Sequence, residues 1–327
     1  MSVIPNTFIV GAQKSATTSL LRWLGEFKEV DPGYLKELGL LCFDDESVLS
    51  GAFSREGSLA RKWSWKENKE EILEAYSGFF GAKDGAEVVI DASVLYMPSR
   101  IAAARIAEIQ PTGKIIALIR EPMARANSAL AHHVQRFRAL PNLDDLSQAN
   151  DPLGILTMGD YLPQLRRYYD HFPKEQIFVR TFEQFCREGE TVLSELGKFL
   201  GLPDAEKSFS PERRNTTLHP RFGSKNTIKL LELTSKYRKE SGGGCIHLEG
   251  LKQLKEFRAE QGSVEAKSLK RRLRKRLERV LFTENRSCQV KLPERVFEKN
   301  NGHFLEQRSE LVDLVPEADL TKWWGSL

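Results

Sequence analysis

The sequence predicts an α/β protein, a parallel sheet flanked by helices, with a helical C-terminal extension. Three observations carry that reading. Short apolar runs, TFIV (7–10), EVVID (87–91), KIIALIR (114–120) and QIFVR (176–180), recur through the first part of the chain. Stretches whose apolar residues fall at helical spacing separate them, as in a parallel sheet with crossover helices. KIIALIR is apolar on both faces, as a central strand covered on both sides must be.

The elements follow in order. TFIV is the first strand, and GAQKSATTSLLRWL (11–24) turns into a helix whose Leu20, Leu21, Leu24 and Phe27 form one stripe. EVVID is the next strand. SRIAAARIAEIQ (99–110) is a helix stopped by Pro111 and Gly113. KIIALIR is followed by the helix MARANSALAHHVQRF (123–137). YLPQLRRYYDHF (161–172) is a helix before the strand QIFVR, and ETVLSELGKFLGLP (190–203) is a helix closed by Gly201 and Pro203. Beyond 205 the strand signal fades; SGGGC (241–245) reads as a flexible break and the remainder as helices ending in DLTKWWGSL. The 327 residues read as one domain: an α/β core over 1–205, and a mostly helical extension over 206–327 that closes the site.

A hydrophobic content of 40% with 29% charged residues excludes disordered and membrane classes. No apolar run reaches the roughly 20 residues of a membrane span. The opening MSVIPNTFIVGA lacks a basic leader region, so a cytoplasmic location is expected. Cys42, Cys186, Cys245 and Cys288 form no C-x-x-C pair and read as reduced thiols; Cys245 and Cys288 would pair only in an oxidising compartment. The net charge of +4 is uneven, because KSLKRRLRKRLERVL (267–281) holds eight Lys/Arg. That run fits a helix with a solvated basic face, the alternative being a polyanionic partner. No nucleic-acid partner is expected, and no feature sets an oligomeric state.

Parallel sheets bind ligands at the carboxyl ends of their strands. Gly11, Asp91 and Arg120 each lie at such an end and are expected to share one crevice. The loop after the first strand is not the nucleoside-triphosphatase spelling G-x-x-x-x-G-K-[ST], because Lys14 follows Gly11 by three residues. A helix N-terminus nevertheless offers unpaired N–H groups, to which Lys14 adds a charge and Ser15, Thr17 and Thr18 add hydroxyls. This suits a phosphate or a related tetrahedral anion. In LIREPMARANSALAHH (118–133), Arg120 and Ser128 are placed to clamp a second phosphate. Two clamps suit a nucleotide with two separate anionic ends.

These stretches resemble those of sulfotransferases. GAQKSATTSLLRWL resembles the family's 5′-phosphosulfate loop, P-K-S/T-G-T-T, and IREPMARANSALAHH its 3′-phosphate motif, R-[DE]-P…R…S. GDYLPQLRRYYDHFPKEQIFVRTFEQF and FLGLP follow in the order usual for bacterial members. LPERVFEKNNGHFLEQRSELVDLVPEADLTKWW is similar to their ending, F-x-x-x-N-x-x-L … D-L-x-x-W, so the resemblance covers most of the chain. It implies a P-loop-type fold, the donor 3′-phosphoadenosine 5′-phosphosulfate (PAPS), the product adenosine 3′,5′-bisphosphate, and no metal. It places Gln13, Lys14, Ser15, Ala16, Thr17 and Thr18 around the phosphosulfate, with Lys14 at the bridging oxygen. It places Arg120 and Ser128 on the 3′-phosphate. NTTLHPRFGSKN (215–226) lies where such enzymes add phosphate contacts, which assigns Arg221 and Lys225 to the 3′-phosphate.

YLKELGLLCFDD (34–45) resembles the K-E-P-H-F-F element of heparan-type sulfotransferases, whose glutamate is the base; here it is Glu37, with Gly39 in place of the His. A surface Glu37 beside Lys36 is the plain alternative. DASVLY (91–96) resembles E-K-S/T-P-x-Y, but Ala92 replaces the lysine and Val94 the proline. That departure argues against a heparan-like substrate and places more weight on Lys14. His132, with His133 beside it, is the second candidate base. Ala16 replaces the usual loop glycine and fits only if the backbone there keeps a negative φ. The acceptor is a small molecule, glycan or carrier-bound group offering a hydroxyl or amine. The 37–75 stretch, with Phe43, Phe53, Trp63 and Trp65, lines an acceptor pocket or belongs to the core. Two other functions stay open: a P-loop kinase using magnesium on Asp91, and an inactive sulfotransferase-like nucleotide-binding protein.

Overall fold

The computed structural model describes residues 3–45, 64–81, 83–135, 140–202, 219–220, 282–283 and 290–323. Arg221, Lys225, the 241–245 break, the 267–281 basic run, Phe53, Trp63, Cys245 and Cys288 lie outside them.

Five parallel strands form one sheet: β1 (Thr7–Gly11), β2 (Val30–Asp31), β3 (Val88–Ala92), β4 (Lys114–Ile119) and β5 (Ile177–Thr181), in the order β2-β3-β1-β4-β5. The helices between them are α1 (Thr17–Leu24), α2 (Trp65–Ser77), α3 (Ala102–Ile109), α4 (Pro122–Gln135) and α5 (Tyr161–Tyr169). After β5 come α6 (Phe182–Arg187) and α7 (Gly189–Leu200). Toward the C-terminus lie α8 (Glu294–Glu306) and α9 (Arg308–Leu314). Each predicted strand of the core is present to within a residue or so. Three elements of the core were not expected: β2, which is two residues at the sheet edge, α2 and α6. In the extension, β6 (His219–Pro220) pairs antiparallel with β7 (Phe282–Thr283), so that region is not helical throughout.

Side chains alternate across a strand, and both faces here are covered. Phe8, Val10, Ile115, Ala117, Ile119, Ile177 and Val179 face a core built with α3, α5 and the C-terminal residues Leu311, Val315, Leu320 and Trp323. Ile9, Ile116, Leu118 and Phe178 face the other side, against α1 and α7. A third cluster joins α4 to α8 through Met123, Leu130, Val296 and Phe304. At the end of β5, Thr181 and Gln184 form a reciprocal capping box, Gln184 N–H donating to Thr181 Oγ1 at 3.0 Å, which turns the chain sharply into α6. Among the described residues no helix is long and apolar enough to cross a membrane.

Candidate functional site

The loop between β1 and α1 begins at a crowded point. A Cβ on Gly11 would lie 2.5 Å from Met97 Sδ, so only glycine lets the chain leave the sheet there. The β1–β4 register slips between Ile9 and Gly11, which re-aims the last residues of the strand. The first helical bonds come from the N–H groups of Ser19 and Leu20 to the Ala16 carbonyl, at 2.9 and 3.1 Å. The N–H groups of Thr17 and Thr18 therefore precede the ladder and are available to an anion. Ser15 is fully buried, and its hydroxyl has no hydrogen-bond partner among the described residues. The Gln13 amide oxygen is also buried and unmatched.

Ala16 has φ +64°, in the left-handed region, which overturns the condition of a negative φ set by its side chain. The same conformation holds Lys14 (φ +70°) and Glu37 (φ +65°), and among the described residues these three are the non-glycine positions with positive φ. Backbone strain of this kind collects at functional sites because the surroundings must over-determine it.

Arg120 follows the last residue of β4. Its backbone N–H donates to the Tyr161 hydroxyl at 3.3 Å, and its Nη1 donates to the Lys14 carbonyl at 3.2 Å. The guanidinium lies 4.5 Å from the centre of the Phe182 ring, and its Nε is buried without a partner. The 3′-phosphate candidate is thus tied directly to the loop. Behind it, Glu121 accepts the N–H of Met123 at 2.8 Å and that of Ala124, capping α4; burial raises its carboxyl pKa. Arg125 is fully buried and donates to the carbonyls of Gly154 and Ile155, and burial lowers its pKa. Ser128 is buried on α4. His132 is half-buried in the last turn of α4, about 15 Å along the axis from Pro122 at 1.5 Å per residue.

The wall opposite is built on residues 36–45. Glu37 N–H donates to the Ala92 carbonyl at 2.8 Å, and Glu37 Oε2 accepts Val94 N–H at 2.8 Å. The segment is pinned to the end of β3. Lys36 Nζ bonds Glu37 Oε1 and reaches Thr17 Oγ1 at 3.3 Å, at the first residue of α1. Glu37 is exposed, its side chain 40% accessible, and pairs with Lys36 as the plain alternative expects; the same ammonium joins its carboxylate to the loop. Beneath it, Asp91 is fully buried. Its Oδ2 accepts the hydroxyls of Tyr76 and Tyr96, each at 2.6 Å, and its Oδ1 accepts Ser93 Oγ at 2.9 Å. Ser93 Oγ in turn accepts Gly39 N–H at 3.1 Å. Desolvation raises the Asp91 pKa, against the three hydroxyls that lower it. Both carboxylate oxygens are spent on hydroxyls, so Asp91 is not the metal ligand that a kinase reading needs. Phe43 is buried and Trp65 partly buried against the core, which favours a structural part for both.

Sequence reasoning named the loop, Arg120, Ser128 and Glu37 as candidates and gave Lys36 no part, because a lysine beside a glutamate is the ordinary appearance of a solvated surface. It also left Arg125 and Tyr161 without a part, although both lie inside quoted motifs.

Residues 5–206, more than half of the chain, match the model of the sulfotransferase family. The chain is similar to a bifunctional heparan sulfate N-deacetylase/N-sulfotransferase 1 of Xenopus laevis, 24% identical over 62% of this chain and 22% of that protein. It is similar to the human heparan sulfate glucosamine 3-O-sulfotransferase 3B1, 23% identical over 61% of this chain and 46% of that protein. The chain thus spans less than half the length of these curated relatives. The crystal structure of a sulfotransferase from Alicyclobacillus acidocaldarius superposes with a TM-score of 0.50 at 30% identity, covering 64% of this chain and 88% of that one. A parallel sheet, a loop with a buried and unmatched hydroxyl after β1, an arginine after β4 and a family match across that whole region lead to one conclusion: the chain belongs to the sulfotransferase family.

Proposed function

We propose that the chain transfers a sulfuryl group from PAPS to a hydroxyl or amine of its acceptor and releases adenosine 3′,5′-bisphosphate. One observation carries the reading. The buried, unmatched Ser15 hydroxyl lies at a helix N-terminus that Arg120 grips through the Lys14 carbonyl, so donors for two anionic groups adjoin. The N–H groups of Thr17 and Thr18, the Ser15 hydroxyl, Gln13 and the loop backbone at Ala16 surround the 5′-phosphosulfate. Lys14 faces the bridging oxygen. Arg120 keeps N–H donors beyond the one given to Lys14, and with Ser128, Arg221 and Lys225 it holds the 3′-phosphate. Sulfuryl transfer moves charge across a tetrahedral group, so fixed positive charge and alignment supply most of the acceleration, and no metal enters the scheme.

Glu37 takes the acceptor proton. Its backbone is pinned to β3 and its carboxylate stands one ammonium away from the loop, whereas His132 lies some three turns down α4. The relatives' names, which specify O- and N-sulfation in heparan sulfate, support a glycan among the small-molecule, glycan and carrier-bound acceptors. Ala92 sets this site apart from the heparan-type pattern. The test is incubation with sulfur-35-labelled PAPS and panels of sugars, lipids and small molecules bearing hydroxyls or amines, in chelator. Acceptor-dependent transfer of label, matched by release of adenosine 3′,5′-bisphosphate, is expected. Nucleotide release that ignores every acceptor would contradict the proposal.

A further inference from the structure

We infer that Lys36 is a further catalytic residue, whose ammonium contacts the moving sulfuryl group and carries charge between it and Glu37. The inference rests on the donor reading above. Lys36 Nζ bonds Glu37 Oε1 and lies 3.3 Å from Thr17 Oγ1, the residue that opens α1. Its side chain is only 21% exposed, well below that of a free surface lysine. The position is fixed from both sides. Thr17 is 5% exposed, and Glu37 is pinned through its N–H to Ala92 and through its carboxylate to Val94. An ammonium has three N–H donors; two meet Thr17 and Glu37, and the third remains for a ligand. An anion at the α1 N-terminus, beside the unmatched Ser15 hydroxyl, comes within reach of that third donor.

The chemistry needs a cation at this point. Glu37 and the donor's sulfuryl oxygens are both negative, and bringing them together without one is repulsive. In the transfer step a bond forms between the acceptor oxygen or nitrogen and sulfur. The bond between sulfur and the bridging oxygen breaks, and its electron pair stays on the 5′-phosphate. The acceptor proton passes to Glu37, whose negative charge disappears. Lys36 then loses one anionic partner as the other swings past, so its charge follows the group in motion. Lys14, on the loop itself, faces the leaving oxygen; Lys36, on the opposite wall, faces the sulfuryl oxygens. The two lysines divide the work across the bond.

The distinguishing ligand pair is PAPS, which carries the sulfuryl group, and adenosine 3′,5′-bisphosphate, which does not. Equilibrium dialysis with both, in chelator and without acceptor, is done on wild type, Lys36→Ala and Lys36→Arg. Lys36→Ala is expected to weaken PAPS about tenfold or more while the bisphosphate stays within about twofold, since only PAPS loses a charge-assisted bond. Turnover at saturation should fall by about 10² or more, and Lys36→Arg should recover part of both losses. Retained bisphosphate binding also shows that the variant is folded. Equal weakening of the two ligands, or no change in either, overturns the role given to Lys36 and leaves the donor assignment standing. Wild type that binds neither nucleotide overturns the donor assignment itself, and Lys36 falls with it.

Discussion

Lys14, Ala16 and Glu37 hold left-handed backbone conformations that L-residues avoid, and each belongs to the site. At Ala16 the strain has a direct consequence. A left-handed non-glycine residue costs about 1–2 kcal/mol, and glycine there gives back roughly 0.5–1 kcal/mol of extra unfolded-chain entropy. Ala16→Gly should therefore stabilise the fold by about 0.5 kcal/mol in denaturant titration; a loss of stability would mean that the Ala16 methyl packs usefully, beside the core that α1 shares. At Glu37, replacement by Gln keeps the Val94 contact and removes the base. Turnover should fall by roughly 10²–10⁴ with little change in donor affinity. A fully active Glu37→Gln, with a defective His132→Ala, would move the base to α4. At Arg120, replacement by Ala should weaken adenosine 3′,5′-bisphosphate more than adenosine 5′-phosphosulfate, which lacks the 3′-phosphate. Some loss for both follows from the bond to Lys14; equal loss would confine Arg120 to supporting the loop. Lys14 and Arg120 were legible as candidates because charge and hydroxyls cluster at strand ends, and Glu37 only through the resemblance of YLKELGLLCFDD to a family element. The positive φ values of Lys14 and Glu37 were not, since the same letters fit either hand of the backbone until the neighbours are known.

Among the elements, β1, β3, β4 and β5 were readable because both faces are buried and each run is mostly apolar. The edge strand β2 was not, because two residues carry no periodicity. Helix α2 escaped because it buries little: among its residues Ile72 and Tyr76 are buried, and most of the rest is charged or polar. Tyr76 nevertheless ties α2 to the site, through Asp91 at the end of β3. That buried carboxylate makes a pH prediction. Burial raises its pKa above 3.8, so over the interval between the ordinary and the raised value the folded protein keeps a proton that the unfolded chain has released. Its contribution to stability is fully present below the ordinary value and is lost as pH rises through the folded one. Asp91→Asn removes this titration, and its denaturation midpoint should vary less with pH over the acid range than that of wild type. An identical pH slope in the two proteins would show that Asp91 does not carry the proton.

Over the whole molecule, the C-terminal residues complete the core beneath the site. Trp323 is buried, donates Nε1–H to Glu183 at 3.0 Å and lies 5.9 Å from Tyr161, whose hydroxyl accepts the Arg120 N–H. Glu183 also accepts Glu121 N–H, so the tail braces the chain on both sides of Arg120. Trp323→Ala should cost about 3 kcal/mol or more by denaturant titration, the range for a large buried aromatic; a loss below about 1 kcal/mol would place the tail outside the core. The architecture at this scale was legible from alternating strands and helices, and the tail's docking was legible only as a resemblance. The central claim is that the carboxyl end of this sheet binds a nucleotide by its 3′-phosphate and its 5′ anion without a metal. Calorimetric titration in chelator tests it most directly, comparing adenosine 3′,5′-bisphosphate with adenosine 5′-monophosphate. The bisphosphate should bind about tenfold or more tightly than the monophosphate, as a lost charge-assisted contact to Arg120 requires; equal affinity for the two, or binding that appears only with ATP and magnesium, would contradict it.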